Sequence, residues 1–270
     1  MLKARVLTAA ILGGLILAAL FLMPSRATAG LFALICSLGA WEWSRFGGLA
    51  SAPARGLYTA IVMLLMLGAW HFSADAAWLA ALLGVAAVWW FVALGWLLVA
   101  PTRQSAPLTL ACGVLVLVPA CVALTRLVVS SQGGISGAER VLWLLLVVIA
   151  ADIGAFFAGR AFGRTRLSPR VSPGKTWEGA VGGMACVALI AGLASLRLQL
   201  PLGFCLLFGC LLGIFSIVGD LTESMFKRAA GLKDSGSILP GHGGILDRID
   251  SITAAAPLFA LGWLELGALA

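Results

Sequence analysis

Charge is scarce in this 270-residue sequence: 11% of its residues are Asp, Glu, Lys or Arg, whereas 61% are hydrophobic. A soluble domain carries about 25% charged residues. The composition therefore excludes an ordinary soluble enzyme and predicts a polytopic membrane protein. The net charge of +7 does not come from a soluble basic domain, so it favours contact with anionic lipid and anionic substrates over nucleic acid.

The residue patterns of zinc and disulfide sites are also missing. The sequence has two histidines and six cysteines, and no cysteine belongs to a CxxC or Cys/His pattern. We interpret the cysteines, which all lie within apolar runs, as small buried hydrophobic residues, and we expect no zinc site. Neither a Walker loop nor a GxGxxG motif is present, so these two phosphate-binding loops are excluded.

Nine apolar runs are long enough, or nearly so, for a membrane-spanning helix, which needs roughly 20 residues. The sequence therefore predicts an all-α, polytopic membrane protein with about nine transmembrane helices. We divide it into an N-terminal transmembrane scaffold of about five helices (1–140) and a C-terminal catalytic region (141–270) with cytoplasmic loops 160–176 and 220–248. The predicted spans are 6–23, 28–44, 56–72, 77–99, 107–129, 141–159, 177–196, 200–219 and 249–269.

The distribution of Lys and Arg sets the orientation of the helices. With the N-terminus in the cytoplasm, fourteen of these residues fall on the cytoplasmic side and four on the opposite side. We therefore expect a bacterial inner (plasma) membrane protein whose two polar loops share the cytoplasmic face. The first run has an alternative interpretation as a signal peptide with a cleavage site at Ala27-Thr28-Ala29. We favour a retained first helix, and cleavage would leave the orientation unchanged.

The densest charge in the sequence lies between residues 220 and 250, next to apolar runs. Asp220, Glu223, Ser224, Lys227 and Arg228 are spaced so that they share one face of a helix. A carboxylate at the membrane boundary needs a cationic partner, so this stripe is a functional-site hypothesis. The alternative is a solvated helix end with a simple Glu223–Lys227 ion pair.

A Gly/Pro-rich loop follows this helix and suits close approach of backbone N–H groups to an anion. His242 lies among its glycines and is predicted to contact an anion or to position the loop. Asp247 and Asp250 then open the last helix, where each has an alternative role as an acid that complements the helix dipole. Because Asp220 and Asp247 lie at the cytoplasmic ends of consecutive spans, we expect them to converge on Mg²⁺, which carboxylates, substrate phosphates and water commonly hold.

A second polar cluster surrounds the loop 160–176. Asp152 lies inside an apolar run, which favours a role in a site or a pathway. The segment Ser172–Thr176 combines a predicted turn, the cation Lys175 and two hydroxyls immediately before a helix, where phosphate binding is favoured. Glu178, in the first turn of that helix, is equally explained by the helix dipole, and the loop arginines are equally explained by topology alone.

Together these clusters resemble the signature of the phosphatidate cytidylyltransferases, also called CDP-diacylglycerol synthases. The resemblance covers about residues 152–251 and is highly specific because it fixes so many polar positions. Phe156 stands where Tyr is expected, so no hydroxyl role is assigned there. The matching positions are Ser224, Lys227-Arg228, Lys233-Asp234, Gly236, Pro240, His242-Gly243-Gly244, Asp247-Arg248 and Asp250, with Gly219-Asp220-x-x-Glu223, Ser172-Pro173-x-Lys175-Thr176-x-Glu178-Gly179, and Asp152 with Gly159-Arg160.

The resemblance implies that CTP and phosphatidate react to give CDP-diacylglycerol and pyrophosphate with Mg²⁺, a second cation being an open question. It implies that Asp220 and Asp247 hold the metal and, with Lys227 and Arg228, form the catalytic group. The acyl chains are expected to enter from the bilayer near the helix of Asp152. The expected partners are CTP, phosphatidic acid and the bilayer, and a homodimer is compatible with the sequence. The implied substrate-binding residues, whose cations contact phosphates, are Ser172, Lys175, Ser224, Lys233, His242, Arg248 and Asp152.

Two other functions are alternatives. One is a related CTP-dependent cytidylyltransferase or kinase that acts on an isoprenoid lipid, since the sequence hardly restricts the lipid tail. The other is an anion-binding membrane transporter, which the embedded Asp152 and Asp220 allow. The charges gather on one face of the membrane and do not line a path across it, which argues against transport.

Overall fold

The structure is a computed structural model that describes residues 13–99, 104–130, 135–238 and 243–266. Within these ranges the chain forms nine helices and one short antiparallel hairpin. The prediction of an all-α membrane protein is confirmed apart from this hairpin. The elements are α1 (Gly13–Leu22), α2 (Ser25–Trp43), α3 (Ala52–Phe72), α4 (Ala76–Val99), α5 (Ala106–Val129), α6 (Gly137–Phe162), β1 (Arg166–Ser168), β2 (Ser172–Thr176), α7 (Trp177–Leu198), α8 (Leu202–Ala229) and α9 (Leu246–Glu265).

Six of the described helices, α3 to α8, are long and apolar enough to cross a membrane. The described part of α1 is too short to do so at 1.5 Å per residue. Helices α2 and α9 have the length but less apolar sequences, because α2 contains Glu42 and α9 begins with Asp247, Arg248 and Asp250. The helices overlap the nine predicted runs, whereas nine membrane crossings stay a prediction. Helix α8 continues beyond its predicted run to Ala229, so the first part of the predicted loop 220–248 is helical.

The centre of the bundle is formed by α5 and α9, which are the most buried helices. Helix α9 packs against α2, α4, α5, α6 and α8. Its middle is a run of alanines, and Ala254, Ala255 and Ala256 are completely buried. Small side chains let neighbouring helices approach closely within a membrane. The position of the first turn of α9 is therefore fixed by several helices from both halves of the chain.

Helices α6 and α7 form a close contact through glycines. A Cβ on Gly183 would lie 2.6 Å from the carbonyl oxygen of Ala151, and one on Gly154 would lie 2.6 Å from that of Gly182. Only hydrogen fits at such distances, so the two backbones touch as in other small-residue helix pairs of membrane proteins. This contact fixes α6 relative to the hairpin that joins the two helices.

The hairpin corrects one prediction from the sequence. Strand β1 pairs antiparallel with β2, so Ser172–Thr176 is an extended strand and the prediction of a turn in that segment is wrong. The turn lies at residues 169–171 instead. The pairing also folds the predicted cytoplasmic loop back against the first turn of α7. As a result Lys175 is held by a strand next to the bundle.

Glu178 and Thr176 tie the hairpin to α7. The Glu178 carboxylate accepts hydrogen bonds from the backbone N–H groups of Arg164 and Thr165, both at 3.1 Å. Thr176 caps the helix, since its hydroxyl oxygen accepts from the N–H of Gly179 at 3.1 Å. Glu178 therefore closes the base of the hairpin in addition to any interaction with the helix dipole.

The two ends of the bundle differ in how many charged residues they carry. We call the end that carries the hairpin and the segment between α8 and α9 the loop end. Helix α2 ends there, and the indole N–H of Trp43 donates to the carbonyl oxygen of Thr109 at 2.8 Å. At the opposite, far end, Arg197 forms an ion pair with Glu139 at 2.7 Å. The loop end collects most of the charged residues described below.

Candidate active site

Two lysine–aspartate ion pairs join three elements at the loop end. Lys175 of β2 lies 2.5 Å from Asp220 of α8, and Lys227 of α8 lies 2.5 Å from Asp247 of α9. The two polar clusters that the sequence places at 152–179 and 220–250 are thus in direct contact. The hairpin, the end of α8 and the start of α9 form one charged site beside the membrane-spanning part of the chain.

The second pair is part of a buried triad. Lys227 also lies 3.0 Å from Glu223, one turn earlier on α8. The Glu223–Lys227 ion pair of the alternative interpretation is therefore present. The helix is not solvated at these residues, however, because Glu223 is 3% and Lys227 is 7% exposed. Charges taken from water need close partners, and here one ammonium group serves two carboxylates. Glu223 was part of the predicted stripe but received no role from the sequence.

Asp247 has the largest number of donors in the site. Its Oδ2 accepts from the backbone N–H groups of Ser235 (2.9 Å) and Gly244 (2.8 Å) and from the Ser235 hydroxyl (2.8 Å). Burial alone would raise the pKa of Asp247, but the hydrogen bonds from Lys227 and from these N–H groups lower the pKa to about 2. Asp247 lies in the first turn of α9, so it complements the helix dipole as well as holding the loop before it.

Carboxyl groups outnumber ammonium groups around Lys175. Asp152 of α6 and Asp250 of α9 both lie within electrostatic range of Asp220 and of Lys175. Among the described residues, no three His, Cys, Asp or Glu side chains already form a metal-binding group. The surplus of carboxylate oxygens nevertheless suits a hard divalent cation, which takes oxygen ligands. The donor set therefore fits magnesium at this side of the site.

The other residues singled out from the sequence lie around these ion pairs. The Ser224 hydroxyl donates to Asp220 Oδ1 at 3.3 Å. Arg228 is exposed and donates to the carbonyl oxygen of Leu232 at 3.3 Å. His242 lies outside the described residues. Ser172 on β2 is half-buried. Lys233, in the segment between α8 and α9, and Arg248, on α9, are exposed.

Glu42 and Ser235 are site residues that the sequence analysis missed. Glu42, on α2, is 1% exposed; its Oε2 accepts from the Ser235 hydroxyl at 3.0 Å and from the Leu246 N–H at 2.8 Å. Its signal in the sequence was the same as that of Asp152, a carboxylate inside an apolar run. That run lies in residues 1–140, which the sequence analysis assigns to the N-terminal scaffold.

Comparison with known proteins identifies the family to which the chain is similar. A model of the "Cytidylyltransferase family" matches residues 3–264. The chain is 43% identical to a phosphatidate cytidylyltransferase of Pseudomonas aeruginosa over 96% of each chain. It is 38% identical to a phosphatidate cytidylyltransferase of Haemophilus influenzae over 96% of this chain and 98% of that one. A Helicobacter pylori protein of the same name is 46% identical over 44% of this chain and 45% of its own.

Proposed function

Because the chain belongs to the cytidylyltransferase family, we infer that it is a phosphatidate cytidylyltransferase. It transfers CMP from CTP to phosphatidic acid and gives CDP-diacylglycerol and pyrophosphate. The observation that carries this conclusion is the match to proteins of that name over 96% of the chain. The lysine-rich site at one end of the bundle supports it, since a reaction between two polyanions needs such a group of cations.

The reaction requires little covalent chemistry from the protein. A phosphate oxygen of phosphatidate attacks the α-phosphorus of CTP and forms the new P–O bond. The bond from that phosphorus to the oxygen bridging to the β-phosphate breaks, and pyrophosphate leaves with the electron pair. The second pKa of a phosphate monoester is about 6, so the nucleophile is already an anion at neutral pH and no general base is needed. Catalysis rests on positioning and on neutralising charge.

The cations of the loop end are suited to that task. Lys175 and Lys227 are held in place by Asp220 and Asp247, and Arg228 is exposed beside them. We assign all three to phosphate groups, together with Lys233 and Arg248 from the surrounding loop and helix. Ser172, Ser224 and His242 are proposed to support these contacts. The division of the cations between CTP and phosphatidate is a matter for substrate-specific kinetics.

Magnesium is the proposed cofactor. Asp220 and Asp247 are the proposed ligands, and Asp152 and Asp250 add negative charge next to Asp220. Bound at these carboxylates, the ion would neutralise charge on the phosphates of the reacting nucleotide. Lys175 and Lys227, which share the same carboxylates, orient those side chains and prevent their mutual repulsion.

The membrane arrangement that we propose goes further than the six apolar helices. All nine helices would cross or enter the inner membrane, with the loop end in the cytoplasm where CTP and Mg²⁺ are available. Residues 141–270 would form the catalytic region and 1–140 its support. The exposed side chains of Phe156 and Phe157 on α6 offer an apolar surface beside Asp152 along which acyl chains would reach the site. A homodimer is a further proposal, tested by the mass of the protein in detergent.

The experiment that tests this function measures pyrophosphate release by the purified protein in detergent. We expect release only when CTP, phosphatidate and Mg²⁺ are all present, and we expect CDP-diacylglycerol as the lipid product. The substitutions Asp220→Asn and Asp247→Asn should each abolish release while the protein stays folded. Asp75→Asn is the matched control, since the Asp75 carboxylate caps α4 by accepting from the N–H of Trp78 at 2.7 Å, away from the ion pairs of the loop end.

Three outcomes would change this conclusion. Pyrophosphate release with an isoprenoid lipid phosphate, and none with phosphatidate, would show that the enzyme uses a different acceptor lipid. CTP-dependent phosphorylation of a lipid without pyrophosphate release would show a kinase. Anion flux in liposomes without turnover of CTP would show a transporter.

A further inference from the structure

Glu42 connects the N-terminal half of the chain to the active site. It lies near the end of α2, and its carboxylate reaches the segment between α8 and α9. The Oε2 atom accepts from the backbone N–H of Leu246, the first residue of α9, at 2.8 Å and from the Ser235 hydroxyl at 3.0 Å. Arg45, three residues later, donates to the carbonyl oxygen of Ser235 at 3.1 Å. Two side chains from the region around the end of α2 thus hold one loop residue.

Both groups that Glu42 binds are directly linked to Asp247. Leu246 is its neighbour in the chain, and the Ser235 hydroxyl lies 2.8 Å from Asp247 Oδ2. A serine hydroxyl carries one hydrogen, so it donates to Glu42 or to Asp247 at any moment. The Glu42 and Asp247 carboxylates therefore share that hydrogen, and their contacts with the hydroxyl fix the position of Ser235, whose backbone N–H donates to Asp247 Oδ2 at 2.9 Å. Glu42 also fixes the first turn of α9, from which Asp247 extends toward Lys227.

The loop is folded tightly around the Glu42 carboxylate. A Cβ added at Gly236 would collide with Oε1, and one added at Gly244 would collide with Oε2 and with the Ser235 hydroxyl. The Oε1 atom has no hydrogen-bond partner among the described residues. A buried carboxylate oxygen without a hydrogen-bond partner is costly. If this position served only for packing, an apolar side chain would fill it without that cost.

We propose that Glu42 is a positioning residue of the active site, which acts through Ser235 and the first turn of α9 to hold Asp247 in the orientation that catalysis requires. The proposal rests on the function inferred above. It extends the active site to the N-terminal half, which the sequence analysis treated as scaffold. It assigns Glu42 no contact with either substrate.

The test compares Glu42→Gln, Glu42→Ala and Ser235→Ala with the wild type. Ser37→Ala is the matched control, because Ser37 is a buried polar residue of the same helix whose hydroxyl donates to the carbonyl oxygen of Ala33 within that helix. Pyrophosphate release gives kcat and its dependence on Mg²⁺. The second readout needs no turnover: it is the increase in unfolding temperature that CTP with Mg²⁺ produces in the absence of phosphatidate.

Loss of a group that orients a metal-site residue typically costs about 10–100-fold in metal affinity or activity. We expect Glu42→Ala and Ser235→Ala to lower kcat by that factor, to raise the Mg²⁺ requirement and to reduce the stabilisation by CTP with Mg²⁺. Glu42→Gln should lose less, since its amide oxygen still accepts from Leu246. The effects of Glu42→Gln and Ser235→Ala should not add in the double variant, because both act on one hydrogen-bond chain.

Each contrary result has a distinct meaning. Folded Glu42→Gln and Ser235→Ala proteins with wild-type kcat and Mg²⁺ dependence would overturn the proposal, as would fully additive effects. If Glu42→Ala fails to fold, the Gln and Ser235 variants decide. A wild-type protein that releases no pyrophosphate from CTP and phosphatidate would refute the function itself and not this inference alone.

Discussion

Replacing Lys227 by Met tests whether the buried triad of α8 and α9 is held by charge. Met keeps most of the length and apolar volume of the lysine stem but removes the ammonium group. Glu223 and Asp247 then lose the cation that lies 3.0 and 2.5 Å from them. The three side chains are at most 12% exposed, so water cannot replace the cation. Removing one partner of a buried ion pair costs about 3–5 kcal/mol, and we expect a loss of that size in the free energy of unfolding.

The two carboxylates should contribute unequally to this loss. Asp247 keeps two backbone N–H donors and shares the Ser235 hydroxyl with Glu42. The Glu223 oxygens have no hydrogen-bond partner among the described residues, although Lys227 lies within ion-pair distance. Glu223 is therefore the charge that the substitution leaves without compensation. The double variant Lys227→Met with Glu223→Gln should recover most of the lost stability.

The assay is equilibrium unfolding in detergent, followed by the reaction of native thiols with a fluorescent reagent. Cys36, Cys112 and Cys121 are buried and become reactive only when the helices separate. The exposed Lys233 provides the control variant Lys233→Met, which should unfold like the wild type. If Lys227→Met is as stable as that control, the triad is not held by charge. If the double variant is as unstable as the single one, the loss comes from Asp247 or from packing and not from Glu223.

Two further predictions concern the hairpin and the α6–α7 contact. Lys175→Gln should lower kcat by about 10²–10³, as loss of one electrostatic contact to a reacting group does, with little change in the unfolding temperature because its pair with Asp220 is partly exposed. The same change at Arg197, at the far end, should leave pyrophosphate release unaffected; equal losses in both variants would contradict a local role for Lys175. Gly183→Ala should destabilise the protein and impair activity, because the new methyl group would meet a carbonyl oxygen of α6. Gly192→Ala, on the same helix but with open space around it, is the control, and equal unfolding temperatures for the two variants would show that α6 and α7 do not pack in this way.

The positions of the helices and the grouping of the charged clusters followed from the sequence because both depend on local composition. Apolar runs of membrane-spanning length leave few alternatives to helices. The stripe on α8 followed from helical spacing, and Asp220 and Asp247 were placed at the same end because they lie at the cytoplasmic ends of consecutive predicted spans. The hairpin did not follow, since Ser172–Thr176 has the Pro and Gly of a turn, and its strand pairing depends on contacts between Glu178 and residues before β1.

The choice of partners within the site also lay beyond the sequence. The Glu223–Lys227 pair, one turn apart, was an alternative that the sequence allowed and is present, but the shorter contact of Lys227 is with Asp247, which is twenty residues away. Such a contact depends on how α8 and α9 pack, and no local pattern encodes it. Glu42 is the clearer case, because its partners are about two hundred residues distant in the chain. Only the position of its carboxylate within an apolar run of the sequence marked it in advance.

The lysine–aspartate pairs explain how a site for polyanions is maintained at the edge of a membrane. An ammonium group near a bilayer is costly without a partner, so Lys175 and Lys227 need carboxylates whether or not substrate is bound. Each ammonium group has three donors. Lys175 contacts one carboxylate and Lys227 contacts two, which leaves at least one donor on each for a phosphate oxygen. The carboxylates therefore keep the cations in place without using up their capacity to bind phosphate. In the proposed site Asp220 and Asp247 would have two roles that a single substitution removes together, and Mg²⁺ dependence measured in the lysine variants would separate the holding of the cation from the proposed binding of the metal.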